Sequence, residues 1–208
     1  MSERPPEVAI VDYGMGNLFS VQQACERVGL RALVTSSPEA CARASAVILP
    51  GVGAFGDAMA ALAQLGLADA LRDLAASGKP MLGICLGMQL LMSESQEFGR
   101  HRGLGIVEGE VVRFDCGLKV PQVGWNRIHR DGPGSWDGSW LEGLKDGESM
   151  YFVHSFYVKP ADPRLTRSRT RYGSVDFCSS LQQGNVLACQ FHPERSGPQG
   201  LHLYRNLA

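Results

Sequence analysis

Apolar positions in the first half of the chain fall into two alternating textures. Residues 7–13 (EVAIVDY) form a nearly unbroken apolar, β-branched run, the pattern of a strand buried on both faces. The run breaks at Gly14 and Gly16. From Asn17, a residue suited to capping a helix, Leu18, Val21, Cys25 and Val28 recur at helical spacing until Gly29 stops them. The succession then repeats, predicting a strand over 32–36, a short helix over 38–44 and a strand over 45–49 that ends at Pro50-Gly51. An Ala/Leu-rich helix over 59–76 and a strand over 80–84 follow. Buried strands separated by helices imply a parallel sheet covered on both faces, with right-handed crossovers.

Beyond Gly103 the texture changes to strand-like runs over 105–114, 120–129, 150–158, 174–179 and 186–191, which predict mixed or antiparallel sheet. Residues 159–172 carry five lysines or arginines and read as a solvated loop. Neither a Ser/Gly-rich linker nor a repeat divides the sequence. The expectation is one α/β domain over residues 1–208, a mostly parallel central sheet flanked by helices with added antiparallel strands.

Composition narrows the function classes. The 208 residues are 44% hydrophobic and 20% charged, which excludes disorder as the main theme. Twenty Lys+Arg against 21 Asp+Glu give a net charge of -1, so no summed basic field draws in nucleic acid or an anionic membrane, and neither is expected as a partner. Apolar stretches fall far short of the ~20 residues of a membrane helix. The first seven residues are polar, contain two prolines and lack the apolar centre of a secretory signal, so a cytoplasmic location is expected. Six cysteines, at 25, 41, 85, 116, 178 and 189, show no CxxC and no paired spacing, so neither a metal site nor a disulfide framework is expected.

Chemistry concentrates in two short motifs. Gly83-Ile84-Cys85-Leu86-Gly87 stands where an apolar strand meets the helix-like residues 88–93. Glycines two before and two after a nucleophile permit the strained strand-to-helix turn that exposes it above a parallel sheet. A thiol at a helix N-terminus also feels the positive end of the backbone dipole, which favours the thiolate. The other motif, His192-Pro193-Glu194, follows the apolar run 186–191. Residues two apart in extended chain face the same side, so Glu194 can hold the His192 ring and complete a nucleophile, base and orienter set. His154 lies in a strand-like run with aromatics on both faces and reads as a packed histidine. Gly51-Val52-Gly53-Ala54-Phe55-Gly56 matches G-x-G-x-x-G, with Asp69 and Asp73 near the offset of a ribose-binding acid, and keeps a dinucleotide site open as an alternative.

Pro50-Gly51-Val52-Gly53, Gly83-Ile84-Cys85-Leu86-Gly87-Met88-Gln89 and Gln190-Phe191-His192-Pro193-Glu194, in that order and spanning nearly the whole chain, resemble the class I glutamine amidotransferases. That resemblance implies a flavodoxin-like fold without cofactor, in which the Cys85 thiolate attacks the side-chain amide of glutamine and His192, oriented by Glu194, moves the protons. It implies an oxyanion hole made by the amides of Leu86 and of Gly51, Val52 and Gly53. Gln89 and the main chain of Ser155 and Phe156 would hold the glutamine.

Residues 11–18, 50–59, 123–126 and 151–155 resemble the branch of that family whose glutaminases pass ammonia to a separate (β/α)8-barrel synthase subunit. That barrel makes imidazole glycerol phosphate in histidine biosynthesis. A barrel of ~250 residues has no room in this chain, so a partner chain is expected, with Asp12, Tyr13, Asn17, Trp125, Asn126 and Tyr151 as candidate contacts. A stand-alone cysteine hydrolase and a nucleotide-binding module are the competing readings, with a non-catalytic interaction domain a third that the joint presence of Cys85, His192 and Glu194 disfavours.

Overall fold

A computed structural model describes residues 7–132 and 136–207. The first half builds β1 (Glu7–Val11), α1 (Leu18–Arg27), β2 (Arg31–Thr35), α2 (Pro38–Arg43), β3 (Ala46–Leu49), α3 (Phe55–Gln64), α4 (Leu67–Ala76), β4 (Met81–Ile84) and the short α5 (Leu86–Leu90). The second half adds β5 (Glu94–Ser95), β6 (His101–Arg102), β7 (Gly109–Arg113), β8 (Gln122–Arg130), β9 (Glu148–His154), β10 (Phe156–Pro160), β11 (Thr166–Tyr172), β12 (Val175–Gln183), β13 (Val186–Cys189) and α6 (Gly197–Arg205).

Nine strands form one sheet in the order β2-β1-β3-β4-β13-β12-β11-β8-β9. The first five are parallel and the remaining pairings antiparallel. With β13 counted as the fifth parallel strand, the order is the flavodoxin-like 2-1-3-4-5. The parallel strands β1, β3, β4 and β13 are buried on both faces because their side chains alternate between two cores, whereas β2 forms the partly exposed edge. Val8 and Ile10 of β1 join Val21 and Cys25 of α1 and Leu203 and Tyr204 of α6 on one side. Ala9 and Val11 join Phe55 and Leu62 of α3 and Leu71 of α4 on the other. A second, four-stranded sheet, β10-β7-β5-β6, stands beside the large one.

Three sequence expectations change. The helix expected over 59–76 is two helices, because Gly66 takes the left-handed conformation at φ 67° between them. The run 150–158 is not one strand. It breaks at Ser155, where the chain leaves the large sheet and enters the small one. Residues 159–172 are not a solvated loop but contain β11, in which Thr166, Ser168 and Thr170 point inward and the arginines alternate outward. Period-two alternation was present there, but its buried positions are hydroxyls rather than hydrocarbons. The expectation about a secretory signal concerns a segment whose residues 1–6 lie outside the described residues. No helix among the described residues is long and apolar enough to cross a membrane.

Candidate active site

In an open α/β sheet the crevice for chemistry lies beyond the carboxyl ends of the parallel strands. Cys85 directly follows β4, and β13 pairs with β4 in parallel register, Cys189 opposite Ile84. The segment after β13 therefore carries His192 to the same end of the sheet as Cys85, although 107 positions separate the two in sequence.

Cys85 holds the strained backbone that the Gly-x-Cys-x-Gly pattern predicts. Its φ is 55° and ψ -108°, one of two non-glycine residues with positive φ among those described. A side chain at Gly87 would collide with the Leu49 carbonyl, and one at Gly83 would press on the Gly87 backbone, so both glycines are sterically required. The sulfur lies 3.8 Å from the Val153 carbonyl and 3.6 Å from the Gln190 side-chain amide.

His192 is 5% exposed, and its Nδ1 lies 2.7 Å from Glu194 Oε1. That contact fixes one proton on Nδ1 and leaves Nε2 as the nitrogen that exchanges a proton with the sulfur. Nε2 is buried with no partner at ordinary hydrogen-bond distance, and the Cys85 sulfur acts on the ring through its charge and a longer hydrogen bond. Burial opposes the charged ring, yet the sulfur and the Glu194 carboxylate outweigh it and raise its pKa to about 10. His154 is a packed histidine, as its aromatic surroundings suggested. It lies among Phe114, Phe152 and Phe177 and donates from Nδ1 to the Phe156 carbonyl at 2.8 Å. Burial lowers its pKa to about 4, a shift that the hydrogen bond to Phe156 opposes.

A cleft of about 290 Å³ opens over the sulfur, and Val52, Gly53, Leu86, Gln89, Ser155 and Phe156 all line it together with Cys85. Two of these residues are engaged otherwise than expected. The Leu86 amide is not free but donates to the Gly51 carbonyl at 3.3 Å. The Phe156 carbonyl already accepts from Gln89 Nε2 at 3.0 Å and from His154, which uses both of its lone pairs. It therefore serves as a scaffold for Gln89 rather than as an acceptor for a ligand.

Glu97 also lines the cleft, and its carboxylate accepts the Phe55 amide at 2.6 Å, capping α3. Sequence reasoning missed it, because it lies in a polar turn without any motif around it. The Gly51–Gly56 loop serves this same cleft, and Asp69 is tied to Arg72 on the surface at 2.6 Å, so no ribose-binding acid faces the loop from that position.

The expected interface residues divide. Trp125 is 59% exposed and pairs in register with Tyr151, whose ring packs edge-on against it and lies 4.2 Å beneath the Arg195 guanidinium. Asn17 is exposed and caps α1, and Asp12 accepts the Gly14 amide. Asn126 is half-buried and donates to the Arg171 carbonyl. Tyr13 departs from expectation: it is 4% exposed and its hydroxyl donates to the Pro50 carbonyl, so it braces the glycine loop from within instead of facing a partner.

Comparison with known proteins agrees with this geometry. The family model for class I glutamine amidotransferases matches residues 9–208. The subunit HisH of imidazole glycerol phosphate synthase from Moorella thermoacetica is 48% identical, the match covering 96% of this chain and 92% of the relative. That from Aquifex aeolicus is 47% identical, covering 95% and 93%. Among solved structures, PurLQS from Thermotoga maritima superposes with a TM-score of 0.75 at 20% identity, covering 98% of this chain and 97% of that one. A crystal structure described as a glutamine amidotransferase gives 0.74 at 23%, covering 95% and 96%; both are likenesses of fold. A cysteine on a strained turn, a paired His and Glu beside it, this strand order and this extent of identity lead to one assignment: the chain belongs to the class I glutamine amidotransferases.

Proposed function

We propose that this protein is the glutaminase subunit of an imidazole glycerol phosphate synthase, hydrolysing glutamine and delivering the ammonia to a barrel-shaped cyclase subunit. The near-full-length likeness to named synthase subunits carries the reading. One glutaminase domain then accounts for the whole chain. Six free, buried cysteines among the described residues fit a reducing compartment, and we assign the protein to the cytoplasm.

In the reaction as we read it, the Cys85 sulfur, its proton already held on His192 Nε2, attacks the glutamine side-chain carbonyl as the thiolate. The tetrahedral adduct collapses, the C–N bond breaks, and His192 returns the proton to the departing ammonia. Water, deprotonated by the same nitrogen, then cleaves the γ-glutamyl thioester and releases glutamate. Glu194 holds the imidazole throughout and stabilises its charged form. Gln89 and Glu97 suit the amino-acid end of glutamine, the carboxylate of Glu97 being complementary to its ammonium group.

We read Leu86 and the Gly51–Gly53 loop as an oxyanion hole held closed in this conformation, a reading supported by the hydrogen bond from the Leu86 amide to the Gly51 carbonyl. Rotation of the Gly51–Val52 peptide plane would withdraw that carbonyl and turn the Val52 amide inward, freeing two donors for the oxyanion. Docking of the partner is the natural trigger, because hydrolysis without an acceptor wastes glutamine. The decisive experiment measures glutamine hydrolysis with and without the barrel subunit, alongside synthesis supplied with free ammonium. Cys85→Ser abolishes the glutamine-dependent reaction and spares the ammonium-dependent one. Survival of both would remove Cys85 from its role.

A further inference from the structure

The cysteine sulfur is touched by a side chain to which the chemistry above gives no task. Gln190, fully buried, points its Nε2 at Cys85 Sγ across 3.6 Å. Its backbone is pinned in the sheet, its amide donating to the Ser179 carbonyl at 2.9 Å. Its Oε1 accepts from Gln89 Nε2 at 3.1 Å, and Gln89 Nε2 donates in addition to the Phe156 carbonyl at 3.0 Å.

Neither amide is free to flip. The Phe156 carbonyl can only accept, so it fixes Nε2 as the end of Gln89 that faces it. The second hydrogen on that nitrogen then needs an acceptor, which fixes Oε1 as the end of Gln190 that faces Gln89. What remains for the sulfur is necessarily the N–H end of Gln190. One backbone carbonyl thus determines, through two side chains, that a hydrogen-bond donor confronts the nucleophile.

A second polar contact of the sulfur, besides that with His192, has the opposite preference. Val153 offers a carbonyl oxygen at 3.8 Å, which suits a thiol S–H and repels a thiolate. When the proton leaves for His192, the Val153 contact loses its donor, whereas the Gln190 contact strengthens because its acceptor has become charged. We propose that Gln190 is a catalytic residue whose side-chain N–H stabilises the Cys85 thiolate, held in that orientation by Gln89 and the Phe156 carbonyl. Because Gln89 also lines the glutamine cleft, the relay ties that cleft to the state of the nucleophile. The inference rests on Cys85 being the nucleophile, and its test separates the two ideas.

The test is alkylation of the full chain with iodoacetamide between pH 6 and 10, with the labelled Cys85 peptide quantified by mass spectrometry. Gln190→Met keeps the length of the side chain and removes the donor. A hydrogen bond to a charged acceptor at this strength corresponds to a fall of about tenfold in the Cys85 labelling rate at pH 7, with wild-type and variant rates converging in alkaline buffer. Glutamine turnover in the complex falls by a similar factor, chiefly in kcat. Gln89→Met, which frees the Gln190 amide to rotate, shifts labelling in the same direction by a smaller factor and gives the reading if Gln190→Met does not fold. Equal labelling of wild type and variant at pH 7, or a loss of the same factor at every pH, overturns the proposal. Failure of wild-type Cys85 to label faster than the other cysteines overturns the nucleophile assignment itself.

Discussion

His154 and His192 are both buried histidines, yet their surroundings push them in opposite directions. Around His192 the Cys85 sulfur and Glu194 outweigh burial and favour the charged ring. Around His154 burial among aromatic rings outweighs a hydrogen bond and holds the ring neutral, with its pKa lowered to about 4. An unfolded histidine titrates near 6.5. Between pH 6.5 and 4 the unfolded chain therefore binds a proton that the folded chain refuses, so the stability due to neutral His154 is complete above that window and is lost as pH falls through it. The loss is on the order of 3 kcal/mol. His154→Phe, which suits the aromatic cluster, should flatten that part of the stability curve. Chemical denaturation at pH 7 and pH 4.5 tests this, and an unchanged pH dependence would assign the acid sensitivity to other groups.

Two elements owe their form to polar contacts that composition hides. Strand β11 is held by buried hydroxyls: Ser168 Oγ lies 2.9 Å from Ser179 Oγ and 2.6 Å from Ser180 Oγ. Ser168→Ala removes the shared centre and leaves two buried hydroxyls short of a partner, which should cost about 2 kcal/mol in urea denaturation. A loss below a few tenths would show that these hydroxyls find other partners.

The glycine loop after β3 is similar. Glycines flanking Val52 suggest that a β-branched residue at Gly51 or Gly53 would alter turnover while sparing stability, but the structure revises that expectation. A β-carbon at Gly51 meets the Tyr13 hydroxyl, and Gly53 sits at φ 117°, so both substitutions strain the fold. A milder probe is Tyr13→Phe, which deprives the Pro50 carbonyl of its donor and loosens the loop. Its expected cost is about 1 kcal/mol of stability. In the assembled synthase it should raise glutamine hydrolysis in the absence of the partner's substrate relative to hydrolysis in its presence; an unchanged ratio would separate the loop from gating.

For the molecule as a whole, the strand order places Cys85 and His192 on one rim, and an exposed tryptophan stands on β8, whose neighbour β9 touches the His192 segment. Trp125 packs against Tyr151, and the Tyr151 carbonyl accepts the His192 amide at 2.9 Å, so a partner that seats on Trp125 is two contacts from His192, the proposed base. Trp125→Ala should weaken binding of the barrel subunit by about 2 kcal/mol, roughly thirtyfold in Kd. Calorimetric titration checks this, and an unchanged Kd would place the interface elsewhere.

What the sequence determined by itself was local: the βα rhythm, the glycines around Cys85, and a histidine and glutamate two residues apart. Each of these depends on neighbours in the chain, where periodicity and backbone sterics act directly. The family followed from three such motifs in order. Tertiary structure alone decided which groups share the cleft and which are already occupied. Glu97, the polar strand β11, the buried Tyr13 and the Gln89-Gln190 relay depend on contacts across 37 to 101 positions or on hydroxyls that mimic a surface pattern. Hydrogen bonds of that kind join residues by geometry rather than by spacing, so no local pattern announces them.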